Sequence, residues 1–385
     1  MRDTTFPVMT RGLERLKAWR DRGSLGAALD PKRNSLNFLR LVFALFVVIG
    51  HAANLGGYKW QIYIGHTPIA DVAVDGFFAI SGYLIAGSAM RSNTIRFLWQ
   101  RVLRIFPGFW VCLLVVAFGF GIVGWLHDHA GLSGYFGGSR GALSYIWQNF
   151  ALRMTHFDIN ATPAHVPYPN SWDGSLWTLE WEFLCYLLVG GLALIGVLRR
   201  QLLVLVLFVA SWALEAAQYQ LKPNLSQAAL SHGLDLLRFA PIFLAGSLIY
   251  VYRDKIPDST ALFTALLVLF AIGSFAHDQG NLAGPLLAYL CIWLGAHLPM
   301  ARVGARNDLS YGIYIYAFPV TQLLAIWGVN RWGDVSYLVL IVAATLVLAG
   351  LSWKLVESPA LRAKKWSPGS RQARTEPVPP AAMGN

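Results

Sequence analysis

Long runs of apolar residues, separated by short polar segments, recur along almost the whole chain. A helix needs about 20 predominantly apolar residues to cross the hydrocarbon core of a bilayer. About ten segments approach this requirement, and they lie at 36–55, 72–90, 105–126, 175–198, 201–218, 234–252, 259–276, 281–299, 308–329 and 335–356. The chain is therefore predicted to be an all-α membrane protein, a polytopic bundle of about ten transmembrane helices.

The composition supports a membrane protein rather than a soluble one. Of the 385 residues, 56% are hydrophobic and only 13% are charged, whereas soluble domains carry about 25% charged residues. The net charge of +11 would favour nucleic-acid binding in a soluble protein. Here the basic residues flank the apolar runs, so no nucleic-acid partner is expected. The three cysteines lie far apart inside apolar runs, which fits neither a disulfide framework nor a metal site.

The distribution of lysine and arginine predicts the orientation of the bundle. With the amino terminus placed in the cytoplasm, most of the basic residues fall in inside segments. The predicted outside loops hold only Lys59, Arg140, Arg153, Lys222 and Arg331. Because an excess of positive charge marks cytoplasmic loops, both termini are predicted to be cytoplasmic.

Three regions follow from this map. Residues 1–35 form a basic cytoplasmic segment in which 11–23 has the composition of an interfacial helix. Residues 36–362 form the membrane domain, and residues 363–385 form a disordered cytoplasmic tail rich in Pro, Ser and Ala. The membrane domain includes one long outside loop, 127–174. Loops of this length are usually either functional or disordered.

Two ionisable residues in the first predicted span call for a partner or a function, because charge within hydrocarbon is costly. Arg40 and His51 lie eleven residues apart, a separation that returns to within about 20° of the same helix face over about 16 Å. In one interpretation both side chains line a single cavity. In the other, Arg40 extends its charged head to the interface and His51 bonds a neighbouring helix.

Carboxylates in two later spans are candidates to act with His51. Asp75 lies near the start of the second span and Glu182 near the start of the fourth, so both are predicted at the depth of His51. A carboxylate beside an imidazole orients the ring and stabilises its protonated form. Alternatively, Asp75 is a first-turn carboxylate favoured by the helix dipole. Ser81, also in the second span, is either a substrate-binding hydroxyl or a small residue for close helix packing.

The segment 91–104, on the predicted inner side, carries Arg96, Arg101 and Arg104. The guanidinium fork matches the geometry of a phosphate. These arginines, together with Arg40, are therefore candidates to bind a phosphate-bearing ligand. The alternative is ordinary cytoplasmic positive charge that fixes the topology.

Six motifs, taken in order, resemble those of the acyltransferase-3 family, integral membrane proteins that O-acylate bacterial surface polysaccharides, Nod factors and related glycans. The motifs are RLVFALFVVIGH, VDGFFAISGYLI, RFLWQRVLRIFPGFW, GSLWTLEWEFLCYLL, LSYGIYIYAFPV and KLVESPALR. The resemblance covers residues 34 to 362. This chain departs from the family at 316–318, where many members carry a histidine, and at Glu357, which is separated from Pro359 by one residue.

The resemblance implies a multi-pass protein of the bacterial inner membrane that transfers an acyl group, acetyl by default, from a cytoplasmic acyl-coenzyme A. The acceptor would be a hydroxyl of an extracytoplasmic glycan or glycolipid. Acyl-coenzyme A would be a co-substrate, and no permanently bound cofactor is expected. On this hypothesis Arg40 and the arginines of segment 91–104 hold the phosphates of the donor. His51 is the general base, supported by Asp75 or Glu182.

The same hypothesis assigns substrate binding to four residues. They are Ser81 and Trp177 in the spans and Tyr168 and Trp172 in the outside loop. A transporter or flippase is the alternative function, because intramembrane Arg, His, Asp and Glu also form proton relays. Many transporters show broken helices in matching halves, a pattern that the sequence does not show.

Overall fold

The computed structural model describes residues 23–221, 227–276 and 283–365, and most of these residues are helical. The helices, numbered in chain order, are α1 (Leu25–Ala28), α2 (Leu36–Gly56), α3 (Ile69–Arg91), α4 (Thr94–Val115), α5 (Gly121–Asp128), α6 (Ala142–Asn149), α7 (Thr178–Leu194), α8 (Gln201–Leu221), α9 (Gln227–Tyr252), α10 (Thr260–Ala276), α11 (Leu287–His297), α12 (Ser310–Ile326), α13 (Asp334–Ser352) and α14 (Ser358–Arg362).

Short elements connect these helices. An antiparallel hairpin of two strands, β1 (Tyr63–Ile64) and β2 (Thr67–Pro68), precedes α3. The π-helical turn Val116–Phe120 continues α4 into α5, and the turn Trp353–Glu357 continues α13 into α14. Each of these two pairs, α4 with α5 and α13 with α14, therefore forms one longer apolar helix.

The predicted all-α membrane fold is confirmed, since each predicted apolar segment coincides with a helix. Five helices of the described residues are long and apolar enough to cross a membrane: Leu36–Gly56, Ile69–Arg91, Thr94–Asp128, Asp235–Tyr252 and Asp334–Arg362. Shorter apolar helices lie at Gln201–Ala217, Thr260–Phe275, Gly284–His297 and Ser310–Ile326. The number of segments that cross the membrane and the position of the termini stay predictions.

The third apolar segment begins earlier than the sequence predicts. The side chain of Asn93 accepts hydrogen bonds from the backbone N–H groups of Ile95 (2.9 Å) and Arg96 (3.2 Å), which caps the helix and satisfies donors that have no intrahelical partner. The segment 91–104 is predicted to precede the span because it is basic, but it is helical from Thr94 onward. Its arginines are carried on one rigid element.

Helix α3 is the most buried of the five long helices. It packs against α2 and α9, and it also touches α7 and α11. Its approach to α9 is close because of two glycines: a Cβ on Gly82 would lie 2.0 Å from the carbonyl oxygen of Phe243, and one on Gly246 would lie 2.2 Å from that of Ala79. Small residues permit such contacts between membrane helices, and they fix the rotation of α3 in the bundle.

The bundle has two polar ends. At the end named here the arginine face, Arg40 near the start of α2 and Arg104 on α4 meet Asp308, which precedes α12. At the opposite end, the loop face, Gly57 after α2 lies against Pro167 of the long loop. Successive helices therefore run between an end rich in arginine and an end covered by residues 129–177.

The loop of residues 129–177 is folded rather than disordered. It contains α6, and Tyr135 and Trp172 within it are fully buried. The hydroxyl of Tyr135 donates to the carbonyl oxygen of Ala117 (2.6 Å), which ties the loop to the π-helical turn between α4 and α5. The loop therefore forms an ordered cover over this end of the bundle.

Parts of the predicted terminal regions lie outside the described residues. These parts are 11–22 of the predicted interfacial helix and 366–385 of the predicted disordered tail. Residues Ala363–Lys365 form a 3₁₀ turn that contacts α4. The boundaries of the three predicted regions stay predictions.

Candidate functional site

A cavity of about 240 Å³ lies at the arginine face. Basic residues from three separate parts of the chain line it: Arg40 from α2, Arg101 and Arg104 from α4, and Lys364 from the turn after α14. Asp308 is the one acid among its lining residues. Because four basic groups face one carboxylate, this basic cavity attracts anions.

Asp308 holds two of these arginines in place. Its Oδ2 accepts hydrogen bonds from Arg104 Nη2 (2.6 Å) and Arg40 Nη1 (3.2 Å), and the hydroxyl of Ser310 donates to its Oδ1 (2.6 Å). Burial alone would raise the pKa of Asp308, but the two guanidinium groups and the hydrogen bonds from Ser310 outweigh it and hold this pKa below its ordinary value. Asp308 is therefore ionised at neutral pH and orients both arginines.

Arg101 has a different environment. Its guanidinium carbon lies 5.7 Å from the centre of the Phe97 ring and 5.8 Å from that of Tyr186. Within the described part of the chain no carboxylate forms an ion pair with it, and its buried Nε has no hydrogen-bond partner. A cation held by aromatic rings and lacking a counter-ion is available to an anionic ligand.

Lys364 is the fourth basic group of the cavity. Burial, and then the positive charges of Arg101 and Arg104, lower the pKa of Lys364 to about 8, although the carboxylate of Asp308 opposes the shift. A bound anion would favour the protonated form of this side chain. Lys364 is thus sensitive to whether the basic cavity is occupied.

Three hydrogen-bonded side chains lie where the basic cavity meets a second cavity. Glu182 Oε1 accepts hydrogen bonds from the hydroxyl of Ser81 (3.1 Å) and from the hydroxyl of Tyr186. Ser81 and Tyr186 line the basic cavity, whereas Glu182 lines a second, smaller cavity. The network therefore joins residues of the two cavities, and the hydroxyl of Ser81 donates its hydrogen bond to Glu182.

The second cavity, named here the narrow cavity, has a volume of about 30 Å³. Arg40 lines both cavities, so they adjoin at its side chain. The other walls come from α3, from α7 and from the start of α12, and they are Val74, Phe77, Phe78, Thr178, Leu179, Glu182, Ser310, Tyr311 and Tyr314. Most of this surface is aromatic or aliphatic.

His51 lies beyond the narrow cavity, towards the loop face. Its ring packs edge to face against Phe318, with 5.6 Å between the ring centres. Phe318 follows Tyr314, a wall residue of the narrow cavity, by one turn of α12, a rise of about 6 Å. Arg40 contacts Asp308 at the start of α12 and His51 contacts the middle of α12, so both project from the side of α2 that faces this helix.

The structure does not bring Asp75 or Glu182 to His51. No side chain of the described residues lies within hydrogen-bond distance of the His51 ring. Asp75 is fully buried, and its Oδ1 lies 3.9 Å from Arg238 Nη2, which also lies 3.5 Å from Asp71 Oδ1. The carboxylate whose charge acts on His51 is that of Asp71. The catalytic roles of Asp75 and Glu182 stay predictions.

The residues predicted to bind substrate differ in their exposure. Tyr168 is 48% exposed at the loop face, and its ring centre lies 6.1 Å from that of Phe318. Trp172 is fully buried, and its Nε1 donates to the hydroxyl of Thr162 (3.1 Å). Trp177 packs 5.9 Å from the ring centre of Phe239. Of the three, Tyr168 is the one that presents an exposed ring.

Two residues of the basic cavity, Asp308 and Lys364, were not among the residues predicted from the sequence. One predicted residue, Arg96, is not part of the cavity. Arg96 is exposed on the first turn of α4 and lines neither cavity. Asp308 falls at the edge of a predicted span, and Lys364 falls in the predicted tail. The signals in the sequence are an acid directly before the LSYG motif and a basic pair at 364–365 directly after the last apolar helix. Neither reveals a contact with residues 200 positions or more away.

The sequence of this chain is similar to one protein family and to two known proteins. Residues 33–354 match the model of a family described as an acyltransferase domain. An O-acetyl transferase of Shigella phage Sf6 is 30% identical over 332 residues, which cover 85% of this chain and 95% of that protein. Nodulation protein 10 of Rhizobium leguminosarum bv. viciae is 30% identical over 366 residues, which cover 86% of this chain and 94% of that protein. No solved structure matches the chain.

Proposed function

Since the chain belongs to the acyltransferase-3 family and is a membrane-bound O-acetyltransferase, we propose that it takes an acetyl group from acetyl-coenzyme A at the arginine face. The acceptor is a hydroxyl of a glycan or glycolipid at the loop face. In this proposal the arginine face is cytoplasmic, and the loop face is outside the inner membrane of a bacterium. The observation that carries the proposal is the basic cavity with Arg101, which forms no ion pair within the described part of the chain.

The basic cavity supports a donor that carries phosphates. Arg40 and Arg104 each share their charge with Asp308, so their free N–H groups can bind phosphate oxygens without leaving the carboxylate. Arg101 contributes a full positive charge, and Lys364, from the turn after α14, adds a second when it is protonated. Coenzyme A supplies several phosphate groups, and arginine forks match their geometry.

The line from Arg40 through the narrow cavity to His51 suits the flexible arm of such a donor. Arg40 and His51 are eleven residues apart on one helix, about 16 Å along its axis. The narrow cavity adjoins Arg40, and His51 lies about one helical turn beyond it. A thioester held near the narrow cavity would therefore lie within reach of a hydroxyl that enters from the loop face.

His51 acts as general base in this mechanism. It removes the proton of the acceptor hydroxyl as the hydroxyl oxygen bonds to the carbonyl carbon of the thioester. The carbon–sulfur bond of the resulting tetrahedral intermediate then breaks, and the imidazolium returns the proton to the departing thiolate. The products are an acetyl ester and free coenzyme A. Burial disfavours the imidazolium of His51, and the negative charge of Asp71 offsets part of this cost between the two steps.

Replacement of His51 by alanine tests this mechanism. His51→Ala should lower acetyl transfer to surface glycan by about 10²–10⁴-fold, the contribution typical of a general base, while acetyl-coenzyme A binds as before. The matched control is His127→Ala, because His127 is a half-exposed residue paired with its neighbour Asp128. The measurement is the ester content of the surface polysaccharide at equal protein level.

Two outcomes would contradict the proposal. Normal ester content in cells that produce His51→Ala would remove His51 from the reaction. Purified protein that fails to transfer acetyl in detergent, while cells that contain it still show transport, would favour the transporter alternative. Transfer in detergent, where no gradient exists, supports the enzyme.

A further inference from the structure

The narrow cavity has a volume that matches one kind of acyl group. It measures about 30 Å³, and a cavity that holds one water needs about 10–15 Å³. It therefore accommodates a group of about two or three heavy atoms. An acetyl group has three heavy atoms, and every further methylene of a longer acyl chain adds one.

The walls of the narrow cavity are held by packing outside it. Phe78 stacks on Phe239 with 4.2 Å between the ring centres. Phe77 packs edge to face against Phe43, with 6.0 Å between the ring centres. Leu179 is only 2% exposed. Since protein interiors are close-packed and resist deformation, the cavity cannot widen by a small shift of one side chain.

Several polar atoms of the walls are already hydrogen-bonded to one another, whereas the buried Nε of Arg40, which lines both cavities, has no hydrogen-bond partner among the described residues. Glu182 accepts hydrogen bonds from Ser81 and Tyr186, and the hydroxyls of Thr178 and Tyr314 are bonded to each other. The space that remains offers an apolar surface. A methyl group suits this surface, because its burial against apolar side chains is favourable.

The geometry points to the narrow cavity as the acyl pocket of the enzyme, with Phe77, Phe78 and Leu179 as the residues that restrict the donor to acetyl. This inference rests on the proposed function, because the donor must enter through the basic cavity for its acyl end to pass Arg40. Selection by chain length is then a property of three apolar walls, and the phosphate-binding residues contribute nothing to it.

Direct binding measurements test the inference without knowledge of the acceptor. The probes are coenzyme A and its acetyl, propionyl and butyryl thioesters, bound to the purified full-length protein. One extra methylene in a hydrophobic pocket changes discrimination by about 10–200-fold. The unmodified protein should therefore bind the propionyl thioester at least about tenfold more weakly than the acetyl thioester. Leu179→Ala, which removes three carbons from the wall, should abolish most of this difference.

A matched control separates the acyl pocket from a general loosening of the core. Leu290→Ala deletes the same atoms from a residue of α11 that is 3% exposed and lines neither cavity. It should leave the ratio of propionyl to acetyl affinity unchanged. If Leu179→Ala does not fold, Val74→Ala makes a smaller opening in the same cavity and should shift the ratio in the same direction.

The inference and the proposed function fail in different ways. A butyryl thioester that binds the unmodified protein as tightly as the acetyl thioester would overturn the inference, and so would an unchanged ratio in both wall variants. In either case Arg101→Gln would still weaken all four probes equally if the proposed function holds. If Arg101→Gln leaves all four affinities unchanged, the donor site itself is wrongly placed.

Discussion

Arg96 and Arg101 are five residues apart on α4, and they make equal contributions to any count of positive charge. Their surroundings differ, because Arg96 is exposed while the guanidinium of Arg101 lies near the rings of Phe97 and Tyr186 at the basic cavity. A topology signal depends on the number of charges near the membrane. A phosphate site depends on which of them reaches the ligand.

This difference allows a matched test of the donor site. Arg101→Gln should weaken the binding of acetyl-coenzyme A by about tenfold or more, since hydrogen bonds to charged groups each contribute about 1.5–3 kcal/mol. Arg96→Gln should leave the affinity nearly unchanged, although it removes the same charge from the same helix. The measurement is calorimetric titration of the purified protein. Equal losses of affinity in the two variants would mean that Arg101 contributes only to membrane topology.

At the scale of whole elements, hydropathy predicts where the helices are but not how they are rotated. The apolar runs predict the helices because backbone N–H and C=O groups in lipid must be hydrogen-bonded within the segment, and a helix achieves this. The start of α4 is set instead by the cap from Asn93, which leaves no trace in hydropathy. The rotation of α3 is set by contacts of Gly82 and Gly246, and it decides that Asp75 lies near Arg238 rather than His51.

The candidate site shows the same limit. The common face of Arg40 and His51 could be predicted, because it depends on the geometry of one helix. The ion pairs of Asp308 with Arg40 and Arg104 could not, because they join residues that the chain brings together only by folding. Lys364 was missed because composition assigns its segment to a tail.

The 3₁₀ turn that carries Lys364 gives the basic cavity a dependence on pH. With a pKa of about 8 in the empty site, Lys364 is charged below pH 8 and attracts phosphate, and it is neutral above pH 8. A bound phosphate returns this pKa towards its ordinary value of 10.5. The affinity for acetyl-coenzyme A should therefore fall as the pH rises above 8, by at most about tenfold per unit for one proton.

Equilibrium binding between pH 7 and pH 9 measures this effect. Lys364→Gln should bind acetyl-coenzyme A more weakly at pH 7 and should lose the fall in affinity above pH 8, because Arg101, Arg104 and Asp308 do not titrate there. Glu357 is a second carboxylate beside Arg104, at 3.9 Å, so the comparison is made above pH 8. Lys354→Gln is the matched control, since Lys354 is exposed and lines neither cavity. If the affinity of Lys364→Gln still falls above pH 8, another titrating group causes the dependence on pH.

At the scale of the whole molecule, the two cavities and His51 lie in order between the arginine face and the loop face. Arg40 borders both cavities, and Phe318 brings His51 close to the loop residue Tyr168. One chain can therefore receive a charged donor at one end and an acceptor at the other. The arrangement has a function across a membrane only if the two ends lie on opposite sides of it.

Labelling of single introduced cysteines tests that orientation. The three natural cysteines are all buried, so an exposed introduced thiol is the one that reacts. Ala27→Cys marks the arginine face, Ser139→Cys marks the loop face, and both positions are exposed. Because cytoplasmic segments carry the excess of positive charge, a membrane-impermeant maleimide should label Ser139→Cys in intact spheroplasts. Ala27→Cys should react only after lysis, and the reverse pattern would place the basic cavity outside the cell, away from any cytoplasmic thioester.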